Sequence, residues 1–239
     1  MANFSGQSST TITTHLIVIN VLLLVADNMF QNRGIDLGQT LGLHYYDSEQ
    51  FHWWQLVTYM FMHGGFVHLF NNMFSLYMFG RLLEMVWGEG RFLLYYMVCG
   101  IGAGLIQQLA WRYEINDFVA QFATSPEGAV QIREMAYSQM LQIEGCGDLL
   151  NHLVTVGASG SVFGILLAFG MMFPDAELFL LFPPIPLKAK WLVIGYGAFE
   201  LFAGIYGVQT GVAHFAHLGG MLFGFILIMF WRKHRNYEF

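Results

Sequence analysis

Charge is what this sequence has least of. Only 11% of its residues are Asp, Glu, Lys or Arg, against roughly 25% in an ordinary soluble domain. Hydrophobic residues make up 56% of the 239 positions and aromatics 17%, with a mean hydropathy of +0.50. A soluble fold of this length has no room to hide so much apolar surface, so lipid is the solvent implied for much of the chain. A basic stripe with interleaved aromatics is missing, which excludes a nucleic-acid partner. Cysteine is scarce too. Cys99 lies in an apolar run and Cys146 in a loop, and the two form neither a metal-ligand pattern nor a disulfide pair. No internal repeat is apparent, so nothing favours an inverted-repeat transporter. The start, MANFSGQSSTTITTH, lacks a basic n-region, and no small-residue cleavage site follows it. The next apolar stretch is therefore expected to stay as a first membrane span.

A helix needs about 20 largely apolar residues to cross roughly 30 Å of hydrocarbon. Six stretches meet or approach that length: about 14–30, 60–80, 91–110, 153–173, 190–206 and 212–231. The expected fold is all-α, a polytopic bundle of six transmembrane helices forming one membrane domain over residues 1–239. The even loops and the C-terminus carry Arg81, Arg91, Lys188, Lys190, Arg232, Lys233 and Arg235, whereas the odd loops carry only Arg33, Arg112 and Arg133. The positive-inside bias then puts both termini in the cytoplasm. In the first loop, LGLHYYDSEQFHWWQLVTYMF crowds aromatics beside charges, the mark of a segment lying in the membrane interface. The external loop at about 111–150 is mixed and acidic and suggests no role. Pro183, Pro184 and Pro186 end any helix between spans 4 and 5.

Three spans carry polar residues at one level. Ser159 stands in VGASGSVFG, 15 residues before Pro174, and His217 in AHFAHLGGMLFG, 15 before Arg232. His68 stands in HGGFVHLFNN, 13 before Arg81, with Asn72 four residues on and so on the same helix face. At 1.5 Å per residue all three lie about 20–22 Å above the cytoplasmic boundary. Under the orientation above, all three spans run from outside to inside. A serine hydroxyl becomes a nucleophile when a neutral imidazole takes its proton, and the oxyanion that follows needs aimed donors. Ser159 and His217 fit the first requirement; the Ser159 N–H, His68 and Asn72 fit the second. No acid stands out to orient His217, so a Ser–His dyad is the expectation. Gly160–Gly164 on span 4, together with Gly220 and Gly224 on span 6, would let the two helices approach closely.

Taken singly, each residue has a plainer reading. A serine between glycines is usually a packing contact, and His217, His68 or Asn72 can simply hydrogen-bond between helices. His63, His152 and His214 are expected at the outer interface. Glu84, framed by Gly80 and Gly88 near the inner boundary, reads as a structural hydrogen-bonding anchor. Glu200, midway along span 5, is open between a structural pair and a gating role. What carries weight is the conjunction of serine, histidine, donors and glycines at a common depth.

At these residues the sequence resembles the rhomboid family, from span 1 to span 6. Gly157-Ala158-Ser159-Gly160 with Gly164 is similar to the family's GxSGxxxG element, and the run from His217 through Gly220 to Gly224 to its AHxxGxxxG element. His68 with Asn72 resembles HxxxN, and Gly80-Glu84-Gly88 resembles GxxxExxxG. The resemblance implies an intramembrane serine endopeptidase with Ser159 as nucleophile, His217 as base, and His68 and Asn72 at the oxyanion. It implies no metal and no cofactor. Its partners would be transmembrane protein substrates within the lipid bilayer, with span 5 and the loop after it as a lateral gate. A bacterial inner membrane is the expected location, with the site open to the non-cytoplasmic side. One position departs from the family: Trp54 is followed by Gln55 where many members have arginine. Two other classes predict different behaviour: a non-catalytic rhomboid-like protein that binds membrane clients would not need the Ser159 hydroxyl, and a solute transporter would carry flux without cleavage.

Overall fold

A computed structural model of the chain describes residues 11–179, 186–206 and 213–234. The N-terminal decapeptide, Pro183, Pro184, the segment directly after span 5 and Arg235 lie outside the described residues. Among the described residues there are six long helical elements: α1 (Ile12–Gln31), α2 (residues 66–87, with a wider-wound stretch at Leu76–Gly80), α3 (Glu89–Ala120), α4 (Ser159–Met172), α5 (Ala189–Ile205) and α6 (His214–His234). By length and composition α1, α3 and α6 are long and apolar enough to cross a membrane.

Two element starts differ from the expected spans. α2 begins at Phe66, not at 60, because the Gly64–Gly65 pair opposes helix upstream of it. α4 has only 14 residues, about 21 Å of rise, because the chain before it is extended. There Val154–Thr155 (β2) pairs antiparallel with Leu43–His44 (β1) from the first loop, Leu43 opposite Thr155 and His44 opposite Val154. Non-helical backbone at membrane depth is tolerated where it lines a cavity or is buried in protein. A second antiparallel pair, Glu177–Phe179 with Pro186–Lys188, precedes α5.

The centre of the bundle is α3 packed along α4 and α6, with Phe92, Tyr95 and Tyr96 of α3 and Ile165 of α4 fully buried. At the α4–α6 seam a Cβ on Gly220 would overlap the Gly160 carbonyl oxygen. The two backbones therefore touch there, and only glycine permits it. Gly164 and Gly224 turn first towards α3, the former against Cys99 and the latter against the Tyr95 hydroxyl. Glu84 of α2 receives the first turn of α1: its carboxylate accepts from the N–H of Ile12 (2.6 Å), the N–H of Thr13 (3.1 Å) and the Thr13 hydroxyl (2.6 Å). An anion at a helix N-terminus completes backbone donors that have no intrahelical partner.

Gln55 stands in for the family arginine and is fully buried. Its Oε1 accepts from the N–H groups of His44 (3.3 Å) and His52 (3.1 Å), and its Nε2 donates to the carbonyls of Thr40 (3.3 Å) and Gln50 (2.9 Å). All four bonding positions of the amide are thus used, and a neutral side chain holds the first loop together.

Residues 111–150 are largely helical. The first ten complete α3, and short helices follow at Pro126–Glu134, Tyr137–Met140 and Cys146–Leu150. Ser125 caps the first of them, accepting from the Gly128 N–H at 3.1 Å, and Pro126 sits where its missing N–H costs nothing. Together with the end of α3 they enclose a second small core of Tyr45, Ile115, Val119, Met140, Cys146 and Leu150. Asn116 Nδ2 donates to the carbonyls of Ile132 and Met135, and the Arg112 guanidinium lies 3.7 Å over the Tyr137 ring. The Tyr137 hydroxyl donates to Asp47 and lies 3.0 Å from that of Tyr45. Burial pushes both phenols above the ordinary tyrosine range. This outer cap clamps the first loop over α3.

Candidate active site

A cavity of about 600 Å³ opens where α4 begins, with His68, Asn72, Gly157, Ser159, Tyr196 and His217 in its walls. The residues expected from three spans therefore share one cavity. Ser159 is the first residue of α4, so its own N–H belongs to the set that a helix start leaves without intrahelical acceptors. The turn that delivers it depends on Gly157, which has φ +131°. A Cβ there would also come within 2.8 Å of the His68 ring, so conformation and space both demand glycine.

On α6, His217 Nε2 lies 2.8 Å from Ser159 Oγ. Its ring is stacked flat on Phe163, centroids 4.2 Å apart and planes 9° from parallel. Phe163 is one helical turn after Ser159, a spacing that puts both on one face; that register is the signal by which the sequence could have revealed it.

An acid does stand beside His217, against expectation. Glu200 of α5 is 4% exposed. Its Oε2 is 2.6 Å from Nδ1 of His214, and its Oε1 is 3.1 Å from Nδ1 of His217. The second contact is bent away from the hydrogen-bond line, leaving His217 Nδ1 without a well-aligned partner. A carboxylate buried at this depth is costly unless it is paired, and two imidazoles serve it. Sequence reasoning flagged Glu200 but could not pair it, since the α5–α6 contact is tertiary.

His68 is half-buried, its Nδ1 accepting a long bond from the Gly64 N–H at 3.4 Å. Asn72 is buried and donates through Nδ2 to the His68 carbonyl at 2.9 Å; the amide has a second N–H. His63 and His214 were expected at the interface, but both are buried. His63 lies edge-on to His68 at 5.0 Å because the non-helical chain before α2 folds inward. His152 is exposed, its Nδ1 bonded to the Asp148 carbonyl at 2.9 Å.

The model of the Rhomboid domain matches residues 50–234. The chain belongs to the rhomboid family. Everything from His68 to His217 lies inside the matched segment. Rhomboid-like protein 11, chloroplastic, from Arabidopsis thaliana is 29% identical over 233 residues, covering 89% of this chain and 62% of that protein. The chain thus spans less than two thirds of this plant relative. The Putative rhomboid protease YdcA of Bacillus subtilis (strain 168) is 28% identical over 189 residues, 77% of this chain and 71% of its own. Rhomboid protease AarA of Providencia stuartii is 24% identical over 184 residues, 73% and 54%. Family and apolar helices together make this rhomboid an integral membrane protein of the helical-bundle type.

Proposed function

We propose that this rhomboid is an intramembrane serine endopeptidase that cuts transmembrane segments of other proteins. The observation that carries the reading is the 2.8 Å approach of Ser159 Oγ and His217 Nε2 in the wall of one cavity. Ser159 transfers its proton to His217 as its Oγ bonds the scissile carbonyl carbon. The Ser159 N–H, His68 and the second N–H of Asn72 face the oxyanion, where preorganised donors act most strongly in a site of low dielectric. His217 then returns the proton to the leaving amide nitrogen as the C–N bond breaks, and water releases the acyl group by the same steps in reverse. A peptide bond inside a helix has its backbone groups engaged, so a substrate must unwind locally. Transmembrane substrates with helix-destabilising residues fit that need. Neither metal nor cofactor enters these steps.

The Lys/Arg bias of the loops supports cytoplasmic termini and a site facing the non-cytoplasmic side. A bacterial inner membrane is our assignment from the compact six-span pattern; the relatives include bacterial and chloroplastic proteins alike, and we take the chain as one membrane domain. The test is cleavage of a transmembrane model substrate by the purified protein in detergent. Ser159→Ala and His217→Ala are each expected to lower the rate by about 10³-fold or more while leaving the unfolding temperature unchanged. Cleavage that survives Ser159→Ala would sink the mechanism.

A further inference from the structure

Glu200 is a buried carboxylate in contact with His217, and the proposed chemistry leaves it without work. We infer that Glu200 is a positioning residue for His217, held in place by His214, so that Ser159, His217, Glu200 and His214 form one chain of contacts across the α4–α6–α5 seams. The inference rests on the protease reading above.

The geometry gives each atom a part. Neutral imidazole has two tautomers, and only the one with its proton on Nδ1 leaves the Nε2 lone pair facing the Ser159 hydroxyl. Nε2 has Ser159 Oγ at 2.8 Å, and Nδ1 has the carboxylate Oε1 at 3.1 Å. An acceptor on the Nδ1 side selects the useful tautomer. The proton on Nδ1 stays there throughout; Glu200 moves none. Once Nε2 takes the serine proton, the ring is an imidazolium facing a carboxylate. A contact that is bent at rest is then charge-assisted, as is common where catalytic hydrogen bonds tighten only during reaction.

His214 does a different task. Its 2.6 Å bond to Oε2 fixes the carboxylate, and the residue lies three positions before His217 on the same helix face, so α6 presents both rings to one acid. The competing account is a staple that merely ties α5 to α6. A staple needs only the His214 bond and gives no reason for the other oxygen to face the catalytic imidazole. Sparse burial elsewhere on α5, with only Ala189, Val193 and Ala203 also buried, makes Glu200 the main polar tie between this helix and the site.

The deciding experiment joins kinetics to the tautomer of His217, read by ¹⁵N NMR of histidine-labelled full-length protein in micelles, with Glu200→Gln and Glu200→Asp compared to wild type. Positioning predicts a wild-type His217 with its proton on Nδ1. It further predicts that Glu200→Gln lowers kcat about 10²-fold or more, leaves KM within about twofold and shifts the tautomer, and that Glu200→Asp recovers part of kcat. A Glu200→Gln protein with unchanged kcat and an unmoved His217 signal, but a lowered unfolding temperature, would leave only the staple and overturn the inference. A wild-type protein without Ser159-dependent cleavage would fail the protease reading instead, and the His217 signal would then decide alone. Should Glu200→Gln not fold, a wild-type His217 protonated on Nε2 overturns the inference and one protonated on Nδ1 upholds it.

Discussion

Glu84 and Glu200 are each 4% exposed, each in a helix of the bundle, and each is a carboxylate where lipid would favour none. Around Glu84 the donors are the backbone of α1 and a threonine hydroxyl. Around Glu200 the partners are two imidazoles, His214 hydrogen-bonded to it and His217, beside the candidate nucleophile, in a bent contact. The first environment contains nothing that changes charge or moves a proton. The second is built from imidazoles, whose ring nitrogens can take up and give back a proton. Burial alone therefore does not distinguish an anchor from a working acid; the chemistry of the partners does. The surroundings agree. Glu84 lies where α1 meets α2, far along the helix from His68, whereas Glu200 lies against His217, which lines the cavity.

The contrast breaks most visibly at Glu84. Glu84→Ala leaves two N–H groups and a hydroxyl buried without their acceptor, which is expected to cost about 3–5 kcal/mol of unfolding free energy. Turnover per folded molecule is expected to stay within about twofold of wild type. Denaturant titration in micelles alongside cleavage rates reads both. A Glu84→Ala protein of normal stability and poor kcat would erase the distinction, because the anchor would then be acting on the site. Glu200→Gln is the reverse case.

A smaller change sharpens the comparison by moving the site without touching either acid. Gly220→Ala puts a methyl group into the Gly160 carbonyl, and the α4–α6 seam must open to take it. Overpacking of this kind costs about 1–3 kcal/mol. Because Gly160 follows Ser159 directly, the Ser159–His217 contact lengthens and kcat is expected to fall about tenfold. The His217 tautomer should stay as in wild type, since Glu200 is still present. A tautomer shift in Gly220→Ala would mean that the α4–α6 seam and not the acid sets the ring.

Much of this architecture was readable before any coordinates. Long apolar runs gave the helices, and counting residues from Pro174, Arg232 and Arg81 brought Ser159, His217 and His68 to one depth; all three line one cavity. What escaped reading was everything that depends on neighbours distant in sequence. The late start of α4 depends on Val154–Thr155 finding Leu43–His44, and a two-residue strand has no period to detect. The outer cap is made of helices of four to nine residues, too short for a 3.6-residue pattern. Gln55 gave no hint of four bonds, since its partners are backbone groups brought together by the loop itself. Glu200 was visible as an anomaly, but its partners became known only once α5 lay against α6.

Asp175 supplies the exposed end of the same scale. It follows α4 outside the bundle, with Lys190 Nζ at 2.8 Å and Lys188 Nζ at 3.1 Å. The bonds and charges of these two lysines hold its carboxyl below the usual aspartate range. A carboxylate with a lowered folded-state pKa adds stability that is present above the unfolded-state value and is lost as pH falls through the folded one. Solvent and salt screen the exposed ions, so the effect is expected to be the smallest of those considered. Asp175→Asn should unfold slightly earlier than wild type at neutral pH, the gap closing in acid and also at high salt. Melting curves across pH in matched micelles test this. A gap that persists below the folded-state pKa of Asp175 would mean that the side chain acts through packing of the Glu177–Phe179 strand and not through charge. It would also remove the exposed reference against which the two buried acids are compared.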